Sequence, residues 1–191
     1  MRKPPGLLNR GNLSEDKHAL HWIRGKAAGR VVHAYLISHD IKDIILEEEQ
    51  ETSGGRKYDL DIRVGDRVID AKCSTMGLLT VPVDQQQLRC DIYAYVDITR
   101  RGACYEFIGW ILKEAFWSIA DVIRKGNALP TERELNAFYD LGCVPPDILH
   151  PAHDLLPILK SAASSPPPNP LEDDGWEVVQ SKQTVQSTLF N

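Results

Sequence analysis

Four charged residues between Tyr58 and Ser74 have the types and spacing for metal-assisted hydrolysis: Asp59, Asp61, Asp70 and Lys72. Two runs rich in Ile and Val flank Gly65-Asp66, a dipeptide suited to a two-residue hairpin loop. That loop sets Val64 opposite Arg67, Ile62 opposite Ile69 and Asp61 opposite Asp70. Side chains alternate along a strand, so the three aspartates and Lys72 fall on one face, and Ile62, Val64, Ile69 and Ala71 on the other. Like charges set opposite each other destabilise a sheet. A divalent cation between Asp61 and Asp70 turns that repulsion into attraction, because hard cations are held by a few carboxylate oxygens plus waters. Lys72 would then stand two residues from a ligand, placed to orient or help deprotonate a metal-bound water. The set is chemically complete for hydrolysis of a phosphodiester. The plain alternative is a solvated strand face with incidental charges.

The order and spacing favour the chemical reading. An Asp followed nine residues later by Asp-x-Lys at a strand end, Asp61 … Asp70-Ala71-Lys72, resembles the PD-(D/E)XK nuclease superfamily, and the strand–turn–strand–helix pattern from Asp91 to about Val122, with Ile108-Gly109-Trp110, looks like the second half of its phage- and plasmid-type members. The resemblance implies an α/β, restriction-endonuclease-like core, a mixed central β-sheet flanked by helices. It implies that Asp61 and Asp70 bind Mg²⁺, with Mn²⁺ able to substitute, that the Ala71 backbone carbonyl is a further ligand, and that Lys72 acts on the nucleophilic water. Asp59 is the alternative first carboxylate. In this superfamily the first helix often carries an acidic residue that reaches the metals. The sequence around Gly25-Lys26-Ala27 resembles that helix, but Lys26 stands where Glu is expected. Glu15, Asp40, Glu47, Glu48 and Glu49 are candidates to replace it, although a solvated acidic edge is the plainer account of most of 47–49. A Gln after the third strand often supports such a site, a part open to Gln85, Gln86 or Gln87; Gln87 and Glu49 are taken as the supporting residues.

The elements that would position these groups follow from periodicity. Leu20, Ile23, Ala27, Val31, Ala34 and Tyr35 recur at spacings of three and four, which predicts a helix from Glu15 to Ser38 capped by Ser14. Ile41–Leu46 suits a short strand or helix end, and 51–56, with Gly54-Gly55, a loop. After Lys72 a connection runs from Thr75 to Val83, then a polar cluster of helical character from Asp84 to Arg89. Asp91–Ile98 and Cys104–Ile111 are predicted strands joined by a turn at Arg100-Arg101-Gly102, and a helix is expected from Lys113 to about Val122. The segment 127–160 is expected to contain a Thr131-capped helix and a short helix near Asp154–Lys160. His150 and His153 have the spacing of a metal pair, but the intervening Pro151 and the scarcity of nearby acids favour a surface or packing role.

The chain has 191 residues, enough for one domain with a real core plus an appendage, here divided as 1–160, a Pro-rich and acidic linker over 161–181, expected to be disordered, and a linear motif over 182–191. No apolar run reaches the ~18 residues of a membrane span and no secretion-signal stretch follows the start, so a cytoplasmic protein without membrane partners is expected. None of Cys73, Cys90, Cys104 and Cys143 forms a C-x-x-C pair, which argues against zinc and for reduced thiols. Net charge is −5, but residues 1–30 carry seven cations against Glu15 and Asp16, a local +5 able to meet phosphates whatever the global sign. Near the end, Gln186-Ser187-Thr188-Leu189-Phe190 is similar to the bacterial sliding-clamp-binding pentapeptide, in which Gln, Leu and Phe fill a pocket. The expectation is therefore a Mg²⁺-dependent DNA nuclease of replication, repair or recombination, recruited by a sliding clamp through Gln186, Leu189 and Phe190, and plausibly a homodimer. The alternatives are a restriction-type or Holliday-junction-resolving endonuclease, or a non-catalytic DNA- or clamp-binding module on a degenerate nuclease fold.

Overall fold

The computed structural model describes residues 15–46, 50–51, 57–58, 62–98, 104–131 and 135–163, with side chains described over 23–46, 62–98, 104–131 and 135–162. Asp59, Asp61, Glu47–Glu49, the 52–56 part of the expected loop, the turn at Arg100-Arg101-Gly102, the linker from residue 164 on and the C-terminal motif lie outside the described residues, while 161–163, expected as the start of the linker, are the last turn of a helix.

Helix α1 spans Glu15–Ser38. Its buried stripe is Ala28, Val32 and Leu36, with Val31 and Tyr35 packed beside it. The expected stripe is thus shifted: Ile23 and Ala34 are exposed. After α1 come β1 (Ile44–Ile45), the short pair β2 (Gln50–Glu51) and β3 (Lys57–Tyr58), and then the central hairpin, β4 (Ile62–Val64) and β5 (Arg67–Ser74). Its register is Ile62 to Ile69 and Val64 to Arg67, as the Gly65-Asp66 loop predicts. Gly65 takes φ 57°, and only glycine occupies that region without penalty, which matches a II′ loop with Gly first.

The chain continues through β6 (Leu79–Pro82), a 3₁₀ turn at Val83–Gln87, β7 (Ile92–Ile98), β8 (Tyr105–Leu112), helix α2 (Lys113–Ile119), β9 (Asp121–Ile123), β10 (Leu141–Val144), β11 (His150–Pro151) and helix α3 (Leu155–Ala163). The main sheet is mixed, in the order β1-β4-β5-β7-β8-β11. β7 runs parallel to β5 and every other pairing in it is antiparallel. The parallel crossover is pinned at its start, where Asp91 accepts a hydrogen bond from the Val68 amide at 2.7 Å and its own amide donates to the Val68 carbonyl at 2.9 Å. A three-stranded sheet, β6-β10-β9, lies against the second face.

Two cores result. Ile62, Val64, Ile69, Ala71, Ala94 and Val96 form one face of the main sheet and pack under α1 and α3. Tyr93, Tyr95 and Ile111 form the other, under Leu79, Val81, Val144 and Phe116 from β6, β10 and α2. Burial of these side chains, at about 1.5–3 kcal/mol each, is what the short strands share in place of local propensity. Three expectations change. The helix begun at Lys113 stops at Ile119 and Asp121–Ile123 is a strand, in keeping with its β-branched Val122 and Ile123. The segment Thr75–Val83 contains β6. Around Thr131 the described residues form a bridged loop, Ala128 opposite Asn136, and the helix expected there is not among them. None of the described helices is long and apolar enough to cross a membrane.

Candidate functional site

β5 carries Asp70 and Lys72 on the same face, as alternation requires, and the parallel register sets them beside Tyr93 and Tyr95 of β7. This is the face turned toward the second sheet. Asp70 is only 2 % exposed, and its Oδ2 lies 2.6 Å from Lys72 Nζ. Its Oδ1 is buried with no hydrogen-bond partner among the described residues. A buried acceptor left unmade costs about 1–3 kcal/mol, more for a charged group. Such an atom next to an ammonium marks a group whose partner lies beyond the described residues, or one whose role is chemical.

Both residues line a cavity of about 340 Å³. One wall is α1, through Arg24, Gly25 and Lys26; another is the end of β6 and the 3₁₀ turn, through Thr80, Pro82 and Gln85; a third is the loop from Leu135 to Tyr139. Among the described residues, the charged groups in its lining are Arg24, Lys26, Lys72 and Asp70, three cations against one carboxylate. This described part of the lining favours an anion, and a low-dielectric wall strengthens that preference. The wall behind Asp70 is apolar in its bulk: burial raises the phenol pKa of Tyr93 well above its ordinary value, and burial together with the Asp97 carboxylate does the same for Tyr95. Tyr93 accepts a hydrogen bond from Trp117 Nε1 at 3.1 Å, and Tyr95 donates to Asp97 at 3.1 Å, so both rings are fixed. Behind them Cys90 is buried too, and burial, followed by the nearby Asp70 charge, pushes its thiol to about 12.

Gln85 is the residue that spacing alone does not single out. It is 3 % exposed, lines the cavity, and its Oε1 has no partner among the described residues. Gln87, taken from the sequence as the supporting residue, is exposed and outside the lining; its amide donates to the Asp84 carbonyl at 3.2 Å. The signal that separates the two is the 3₁₀ turn, which rotates only the third residue of Val83–Gln87 inward.

Lys26 stands in the cavity wall, so α1 brings a cation to the place where a carboxylate was looked for. Asp40 is exposed at the far end of α1 and Glu15 lies outside the described side chains; neither belongs to the described lining. Ala71 is buried with its side chain in the α1-facing core. His150 stacks on Trp110 with centroids 4.7 Å apart and His153 pairs with Asp154, a packing and surface role.

A hard divalent cation suits Asp70 Oδ1, a buried acceptor with no partner among the described residues, and Gln85 Oε1 is a second such acceptor on the same cavity, open to a water. The described residues contain no cluster of three or more His, Cys, Asp or Glu side chains, and Asp59 and Asp61 lie outside them. Comparison with protein-family models, curated protein sequences and solved structures returns no significant match.

Proposed function

We propose that this chain is a divalent-metal-dependent DNA nuclease built on a restriction-endonuclease-like core. The observation that carries the reading is Asp70: a buried carboxylate with one oxygen on Lys72 and the other without a partner among the described residues, at a cavity whose other described charged groups are cations. The mixed sheet, with α1 before it and α2 and α3 after it, is the arrangement that the PD-(D/E)XK resemblance implies.

Asp70 would hold Mg²⁺, together with the Ala71 carbonyl and with Asp61 or Asp59. When bound, that ion supplies Lewis acidity at the phosphate and a water of lowered pKa. The chain's own groups do the rest. Lys72 Nζ, fixed by Asp70, presents its remaining donors to the attacking water and to the charge that builds on the phosphoryl oxygens. Gln85 Oε1 accepts a hydrogen bond from that water and so orients it. Arg24 and Lys26 bind the neighbouring phosphates.

A cleavage assay with Mg²⁺ or Mn²⁺ on supercoiled, linear, single-stranded and branched DNA tests this. Asp70→Ala and Lys72→Ala should each lower the rate by about 10²-fold or more without loss of the folded circular-dichroism spectrum. Wild-type protein that cleaves none of the four, or variants that cleave as well as wild type, would sink the reading. One observation favours a second reading. Lys26 in the wall removes a carboxylate that a nuclease site would use, which suits a module that binds DNA without cutting it. Retained DNA binding with no cleavage would select that module.

A further inference from the structure

We propose that the lip of this cavity is a stacking subsite for an unpaired nucleobase, with Phe138 as the platform, so that the site takes single-stranded DNA. The inference rests on the nuclease reading of the same cavity and adds the form of the substrate.

Phe138 is 64 % exposed, yet it lines the same cavity as Asp70 and Lys72. A single exposed apolar ring is ordinary on a protein surface; what sets Phe138 apart is that it shares one cavity lining with Arg24, Lys26, Asp70 and Lys72. Its backbone is not a loose loop tip. The preceding Ala137 is buried, its amide donates to Asn127 at 2.8 Å and its carbonyl accepts from Gly126 at 2.7 Å. On the other side, the Asp140 carboxylate takes the Arg124 guanidinium at 2.7 Å and the Lys125 amide at 2.8 Å, which hold that carboxyl below its ordinary range. The Asp140 carbonyl accepts from the Val83 amide at 3.0 Å. A ring presented on fixed backbone loses little entropy when something stacks on it.

The walls divide as a nucleotide does. Leu135 and Phe138 give an apolar surface on one side, and Arg24 and Lys26 give positive charge on the other. A flat apolar base joined to an anionic phosphate matches both at once, whereas a purely apolar peptide has no reason to meet the cations; a second copy of this acidic chain is an outcome that the experiment separates. In a duplex the ring faces are stacked on each other and only base edges reach the grooves. A stacking platform is therefore open to an unpaired base alone.

The test measures binding of the full chain to a fluorescein-labelled oligothymidylate and to a labelled duplex, by anisotropy, with Ca²⁺ replacing Mg²⁺. Phe138→Ala should weaken binding of the single strand by about 5- to 100-fold and leave duplex binding unchanged. Phe138→Trp should restore it and Phe138→Leu should not. Equal effects on both DNAs, or rescue by Leu as complete as by Trp, would overturn the stacking role. So would a change of sedimentation from dimer to monomer in Phe138→Ala, which would make the lip a contact between copies. Because binding is read without turnover, a chain that never cleaves DNA fails the nuclease reading while Phe138-dependent binding stands. A chain that cleaves duplex at a rate indifferent to Phe138 fails only the stacking inference.

Discussion

Gln85 separates a structural from a chemical role at the level of one side chain. Its Oε1 is buried without a described partner, so the amide is a cost to folding unless something beyond the described residues meets it. Gln85→Met keeps the length and removes the orphaned acceptor. The melting temperature should hold or rise, while the cleavage rate falls by about 10-fold or more. A fall of several degrees in melting temperature with no effect on cleavage would show that Gln85 is a packing residue. Asp70 presents the same tension more strongly, because its neighbour Lys72 depends on it for a counter-charge. Residue chemistry was the most legible part of the sequence here. Asp70, Lys72 and their common face follow from one alternating run around one Gly-Asp loop, and the observed register agrees over the described pairs. Choosing among Gln85, Gln86 and Gln87 required the rotation of a 3₁₀ turn, which adjacent glutamines do not reveal.

The elements show where sequence pattern is strong and where it is silent. α1 has the predicted bounds, but its buried positions 28, 32 and 36 differ from the stripe that periodicity suggested, because small and apolar residues occur around much of the helix. β10 was unreadable for the opposite reason. All four of its residues are buried, so no alternation marks Leu141–Val144 as a strand. Two glycines test how elements approach each other. A Cβ on Gly109 would run into the His150 carbonyl oxygen of β11 and come within 3.2 Å of the Leu149 side chain. Gly109→Ala should therefore push β11 off β8 and cost about 1–3 kcal/mol. Gly25, inside α1, has no described atom within 4 Å of a built Cβ. Gly25→Ala should stabilise the protein by about 0.5–1 kcal/mol through helix propensity. Opposite signs in urea denaturation bear out this account, and equal signs refute it.

At the scale of the whole molecule, the fold supplies one site and the sequence carries a second feature apart from it. Residues 186–190, Gln-Ser-Thr-Leu-Phe, follow a Pro-rich and acidic stretch that begins just past α3, and all of them lie outside the described residues. Two apolar anchors in that polar context have the form of a linear motif that a partner's pocket reads. We propose that this partner is a sliding clamp, and the consequence for catalysis is quantitative. A clamp on DNA would turn encounter of the cavity with its substrate into an intramolecular event, and tethering of this kind raises apparent affinity by about 10²–10⁴-fold without a new contact at the site. Full-length protein should cleave clamp-loaded DNA at enzyme concentrations about 10²-fold below those needed on bare DNA. Leu189→Ala with Phe190→Ala should abolish that advantage and leave the rate on bare DNA unchanged, because the two anchors would meet the clamp and not the DNA. Titration of a labelled peptide of residues 178–191 with the clamp measures the contact by itself. A peptide that fails to bind, together with equal cleavage of loaded and bare DNA, would leave a nuclease that finds its substrate through the cation-lined cavity alone.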